Sequence, residues 1–152
     1  MKQIVGVADM KAMMTSISEV METMFFLPVE FDGESTLTEC GLSNEKNNAC
    51  KLIFTGEVTG SFSIVAPKSL VAEMAENFMG EAKGMLTEEH FSGTLTEMLN
   101  MVCGNALSKT ESKVPFELGI PEVIDESEIQ ENEKVTIIET TVSKMAVLLK
   151  ID

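Results

Sequence analysis

Apolar residues recur at helical spacing in three stretches of the chain and alternate or cluster as strands in two others. The first helical stretch predicts a helix from near Asp9 to Phe26, with Asp9 as its N-cap and Pro28 as its stop. Ile17, Val20, Met21 and Met24 form its apolar stripe. From Asp32 to Asn48 the chain turns polar, and its pattern allows a short strand without locating one. Residues 51–55 and 61–65 flank a turn region containing Gly56 and Gly60, which predicts a hairpin. In its second strand Phe62, Ile64 and Ala66 alternate with Ser61, Ser63 and Val65, so one face is committed to burial and the other less so. Pro67 suits the first position of a helix through Met79, with Leu70, Val71, Met74, Ala75 and Phe78 on its apolar side. Gly80 and Gly84 end it.

Thr87 opens another long helix, to about Lys109, with Glu88 and Glu89 favourable in its first turn. A loop with Pro115, Gly119 and Pro121 follows, with room for one or two short strands, and residues 134–139 and 145–150 close the chain as a second hairpin. Residues 122–133 hold six acids and no base, which reads as a solvated turn region or as a patch that selects against acidic partners. This element order predicts an α+β fold, an antiparallel-rich sheet covered by long helices. Ser16-Ile17-Ser18-Glu19-Val20-Met21-Glu22 matches Thr94-Leu95-Thr96-Glu97-Met98-Leu99-Asn100 in character, position by position, and a hairpin follows each. That points to duplicated halves, about 9–66 and 87–152, although two amphipathic helices can also match by chance.

Composition narrows the partners. A length of 152 residues fits a single domain, 1–152, with a sizeable core. The net charge of −14 argues against nucleic acid and against an anionic membrane surface, since both demand a basic footprint. Cys40, Cys50 and Cys103 are odd in number and form no CxxC, so reduced thiols in the cytoplasm are the simpler expectation. The apolar run from Ile4 to Ala8 is too short for a signal-peptide core, and no run approaches the roughly 20 residues of a membrane helix. Twelve Met residues lie largely at helical spacing, which favours core packing over a helix-binding surface.

The candidate chemistry lies on the helix opened by Thr87. On a helical wheel Leu95, Met98, Leu99, Val102 and Ala106 share one broad face, while Gly93, Glu97, Asn100, Gly104 and Ser108 share the opposite stripe. The pair Glu97 and Asn100 can grip a cation and hold a water, and the flanking glycines let another surface come close. Two plainer readings stand beside this. Thr94-x-x-Glu97 matches a capping box, as does Ser16-x-x-Glu19, although the apolar periodicity already begins at Phe91. Alternatively, the pair is simply a solvated face. His90, the one histidine, has only its neighbours Glu88 and Glu89 beside it, so no metal site is expected.

The run Glu97-x-x-Asn100-Met101-x-x-Gly104, with Pro121 about twenty residues on, resembles the E-x-x-N helix of the CheC/CheX/FliY phosphatases of bacterial chemotaxis. A single intact motif, in the second half only, is similar to CheX rather than to CheC. The family tends to place Ser or Asp four residues before the Glu, where this chain has Gly93. The resemblance implies a CheC-like fold and an enzyme that removes phosphate from the aspartyl phosphate of a CheY-type response regulator. It implies Glu97 and Asn100 as the catalytic pair, with Gly93, Met101, Gly104 and Ser108 at the docking face. It further implies no cofactor of the chain's own, Mg2+ supplied by the partner receiver domain, and a homodimer. The alternative is a non-catalytic receiver-binding or flagellar-switch-like assembly module.

Overall fold

The computed structural model describes residues 2–80, 83–108 and 116–152. Helix α1 (Lys2–Met24) is followed by strand β1 (Glu30–Ser35), the hairpin β2 (Asn47–Thr55) and β3 (Gly60–Pro67), and helix α2 (Lys68–Met79). Helix α3 (Glu88–Ser108) precedes the two-residue strands β4 (Glu117–Leu118) and β5 (Glu122–Val123) and the hairpin β6 (Val135–Glu139) and β7 (Lys144–Ile151). All pairings are antiparallel, and the strands lie in the order β1-β6-β7-β3-β2-β4, with β5 also on β2. The two hairpins therefore meet through β3 and β7, where Ile64 faces Val147 and Phe62 faces Leu149.

The fold is α+β, as the patterning predicts, and all three helices share one face of the sheet. Cys50, Leu52, Phe54, Phe62, Ile64, Ala66, Met145 and Val147 supply the sheet side of that core. Met13, Ile17, Met21, Leu70, Met74, Leu95, Met98, Leu99 and Val102 supply the helix side. Each such side chain withdrawn from water contributes about 1.5–3 kcal/mol, so this layer dominates stability. Both thiols within it are inert: burial pushes Cys103 up to about 12 and Cys50 higher still, with Cys103 beside it adding to the effect.

Several expectations need correcting. Helix α1 starts at Lys2, so Asp9 lies inside it rather than capping it. No proline interrupts residues 2–8, and Ile4 and Val7 prolong the helical spacing. The face of β3 that carries Ser63 and Val65 is also buried. A second, smaller cluster covers it, in which Leu37, Leu42 and Ile129 from irregular segments pack on Ala49, Val65, Ile137 and Ala146. The unlocated strand is β1, which begins before the polar stretch and pairs with β6. Gly80 ends α2 in the left-handed conformation, at φ 70, while Gly84 sits in a separate 3-10 turn. Lys109 and Pro115 lie outside the described residues.

The acid-rich segment behaves as a turn. Asp125 caps its 3-10 turn by accepting from the Ser127 N–H at 3.0 Å, Glu126 accepts from Asn47 at 3.1 Å, and Glu133 pairs with Lys150 at 2.7 Å. Helix α1 ends less conventionally. The Leu27 N–H donates to the Met21 carbonyl at 3.0 Å, and Phe26 takes the left-handed position at φ 56. A glycine fits that position without penalty, whereas a bulky side chain costs about 1–2 kcal/mol there. Met24, expected in the apolar stripe, is 38% exposed, and Phe25 is fully buried instead.

Candidate functional site

Helix α3 is fixed at its first turn by two devices. The Thr87 N–H donates to Nδ1 of His90 at 2.9 Å, so the histidine closes a capping box three residues into the helix. Glu88 accepts from Asn48 at 2.8 Å and pairs with Lys68 at the start of α2. The Lys68 bond, then the Asn48 bond, hold the Glu88 carboxyl below the usual carboxylate range. His90 thus has a structural task, and among the described residues no group of three or more His, Cys, Asp or Glu is placed to hold a metal ion.

That placement disposes of the capping-box reading of Glu97. Thr94 lies well inside the helix and is buried, as is Ser16 in α1, so neither begins a helix. Further along, α3 divides as the wheel requires. Leu95, Met98, Leu99, Val102 and Ala106 are buried, together with Thr94, Cys103 and Leu107. Gly93, Glu97, Asn100 and Ser108 are exposed, and Gly104 and Met101 are half-buried, Met101 packing against the main core. The stripe thus gathers all six residues on or beside one face of one rigid helix. Neither the Glu97 nor the Asn100 side chain has a hydrogen-bond or ion-pair partner among the described residues.

The glycines of the stripe have no role in the fold's own packing. A Cβ on Gly93 would meet nothing within 4 Å, and one on Gly104 would touch only Leu118 Cδ1, at 3.7 Å. Glycine inside a helix costs roughly 1 kcal/mol relative to alanine, and nothing within the described chain requires it at either place. A cavity of about 450 Å³ is lined by α1, β1 and the second hairpin, with no residue of α3. The Glu97–Asn100 stripe lies on an exposed helix face outside that cavity.

Two neighbours of the stripe escape sequence reasoning. Asn105 donates to Glu19 of α1 at 3.1 Å, tying the two long helices together. Leu118 of β4, which pairs with Phe54 of β2, packs beside Gly104. The Gly119 N–H donates to the Ile53 carbonyl at 2.7 Å, and a Cβ there would press on that same oxygen, so glycine is needed to turn the chain toward Pro121 and β5. The nearest signal for the Asn105 bond is the alignment of Glu19 with Glu97, which marks Glu19 without naming its partner.

Fold and stripe together define an α+β protein with an exposed carboxylate–carboxamide pair on one long helix. Residues 49–142, well over half of the chain, match the family model for the chemotaxis phosphatase CheX, and the chain belongs to that family. CheX from Desulfovibrio desulfuricans shares the fold at a TM-score of 0.72 and 15% identity, covering 95% of this chain and 99% of that one. CheX from Vibrio vulnificus gives 0.74 and 18% identity, covering 95% and 96%. A CheX–CheY–BeF3–Mg2+ complex from Borrelia burgdorferi contains a chain similar at 0.74 and 18% identity, covering 93% and 96%. No curated protein matches the sequence. No helix among the described residues is long and apolar enough to cross a membrane.

Proposed function

We propose that the protein hydrolyses the aspartyl phosphate of a CheY-type response regulator, with α3 inserting Glu97 and Asn100 into the receiver's active site. The observation that carries this reading is the stripe itself. Two exposed polar side chains, without partners among the described residues, stand three residues apart on one helix, flanked by glycines whose Cβ would meet at most ordinary contact there. The family name and the complex of a similar protein with CheY support the choice of partner. Asn100 holds a water in line with the phosphorus–oxygen bond, accepting from the water and donating to the phosphoryl group. Glu97 pairs with the lysine of the receiver site and fixes the register of the helix. Mg2+ comes with the receiver. A loose, metaphosphate-like transition state needs positioning and charge neutralisation rather than a strong base.

The two long helices are not equivalent in this reading. Glu19, which aligns with Glu97, is engaged by Asn105, and Glu22 stands in place of Asn100. The strand order, in which each outer strand flanks a hairpin and the hairpins meet at the centre, supports duplicated halves with the motif kept in one. The homodimer implied by resemblance has natural surfaces in the outer strands β1 and β4. Buried free thiols support a cytoplasmic setting.

The test is the decay of phosphorylated receiver domains with Mg2+, with and without the protein. Decay of a cognate receiver should accelerate, and no acceleration for any receiver sinks the enzymatic reading. Gly93, at the family's Ser or Asp position, favours the rival reading of a non-catalytic docking module, in which binding persists without faster decay. A sharper prediction concerns Gly104→Ala. Its methyl meets only ordinary contact in the free protein, so Tm should rise by roughly 2–4 °C. Stimulated decay should nonetheless fall several-fold, because the methyl stands where the receiver approaches. Unchanged decay would remove Gly104 from the docking face.

A further inference from the structure

The short strands β4 and β5 and the link between them expose apolar side chains that neither core uses. Leu118, Ile120 and Val123 are 36%, 89% and 60% exposed, and none belongs to the two buried clusters. Solvent does not explain three such side chains so close together in the chain. Nor is the segment loosely held. The Gly119 N–H donates to the Ile53 carbonyl at 2.7 Å and the Ile124 N–H to the Ala49 carbonyl at 3.0 Å, so β2 pins the chain on both sides of Ile120. Pro121 adds a local restraint by favouring extended backbone at Ile120.

Register places this patch beside the stripe. Leu118 pairs with Phe54 and Val123 with Cys50, and both partners belong to the main core beneath the helices. Cross-strand partners share a face of the sheet, so Leu118 and Val123 lie on the helix side, where α3 packs against both strands. A Cβ on Gly104 would touch Leu118. Cys50 lies beside Cys103, which follows Asn100 by three residues on the helix. The patch therefore flanks α3 on the side of Asn100 and Gly104, while Asn105, bonded to Glu19, marks the side toward α1. We propose that Leu118, Ile120 and Val123 form a second part of the receiver's docking surface, covering an apolar side chain next to the receiver's phosphorylated aspartate. This rests on the receiver reading above. Apart from half-buried Met101, the stripe offers only polar and small side chains, which fix register and position a water but bury little apolar area. A preformed apolar patch beside it supplies affinity at low ordering cost. A second copy is the other occupant, since β4 is an outer strand. Pairing of outer strands uses backbone groups in the plane of the sheet, whereas Leu118 and Val123 stand on the face that α3 shares.

Ile120→Ser tests the proposal without disturbing the fold, because the side chain is already exposed. The probe is the beryllofluoride-treated receiver that the wild type binds most tightly among a panel of CheY-type domains, with binding read separately from decay. Ile120→Ser should bind roughly tenfold more weakly, as loss of an apolar anchor does. The receiver concentration for half-maximal decay should rise by the same factor with the maximal rate unchanged, which sets this residue apart from Asn100. The loss should persist at high salt, because an apolar contact is not screened. Val142→Ser, a similar change in the exposed turn between β6 and β7, should leave affinity and decay as in the wild type. If Ile120→Ser binds and accelerates decay like the wild type, the patch falls and the receiver reading stands. If the wild type binds no receiver, both fall. A wild type that binds without accelerating decay removes the enzymatic reading alone, and the tenfold loss in Ile120→Ser then still carries the patch. A clear drop in Tm, or an equal loss in Val142→Ser, overturns the proposal. So does light scattering that shows Ile120→Ser dissociating a dimer at unchanged receiver affinity, which assigns the patch to a second copy.

Discussion

Asn100→Ala is expected to abolish stimulated dephosphorylation of the receiver while leaving complex formation measurable. The carboxamide is exposed and has no partner among the described residues, so its loss leaves the fold intact and Tm within about 1 °C. In the proposed complex it is the group that orders the attacking water, and an interaction made mainly in the transition state appears in rate rather than in affinity. Removing one such positioned group typically costs on the order of 10²–10³ in rate. The measurement pairs phosphate decay with binding to a beryllofluoride-treated receiver. A variant that still accelerates decay would place the water elsewhere, and one that no longer binds would make Asn100 an anchor instead. Asn100→Asp is the informative companion. It keeps the size but loses the N–H donor and adds charge beside a phosphoryl group, so it should be as inactive as alanine.

The stripe that this prediction rests on is legible in the sequence because a helix turns spacing into geometry. Once Leu95, Met98, Leu99, Val102 and Ala106 claim the core, Glu97 and Asn100 have to face outward, whatever α3 packs against. The hairpins are legible for the related reason that alternation fixes a strand's faces, and β2–β3 and β6–β7 fall within a few residues of their expected bounds. Contacts set by the docking of separate elements are not legible. The bond between Asn105 and Glu19 depends on how two helices lie together, and no local pattern encodes it. The second cluster is hidden because Leu37, Leu42 and Ile129 come from segments without periodicity. At the end of α1 the pattern misleads: it counts Met24 as core, but the helix stops there and the chain's turn buries Phe25 instead. The capping box shows a third kind of difficulty. Thr94-x-x-Glu97 matches the pattern inside the helix, whereas Thr87-x-x-His90, with His in place of Glu or Gln, supplies the bond where the helix begins.

Glu97→Lys is expected to do what Asn100→Ala does not, and remove binding itself. Glu97 is exposed, three residues before Asn100 on the same stripe, and has no ion-pair partner among the described residues. The free protein therefore tolerates reversal of its charge, and circular dichroism and Tm should match the wild type. In the proposed complex the carboxylate meets the receiver's cation, and reversal sets two like charges against each other, a penalty of several kcal/mol. At about 1.4 kcal/mol for each tenfold, that is a loss of at least ~100-fold in affinity for the receiver. Stimulated decay at low receiver concentration should fall with it. Glu97→Gln separates the contributions, because it keeps the hydrogen-bonding shape and loses only the charge. Its affinity should lie between wild type and Glu97→Lys, and its dependence on salt should be weaker than that of the wild type. If Glu97→Lys binds the beryllofluoride-treated receiver as tightly as the wild type, Glu97 is not the anchor. A slower decay would then have to come from a disturbed Asn100 on the same helix.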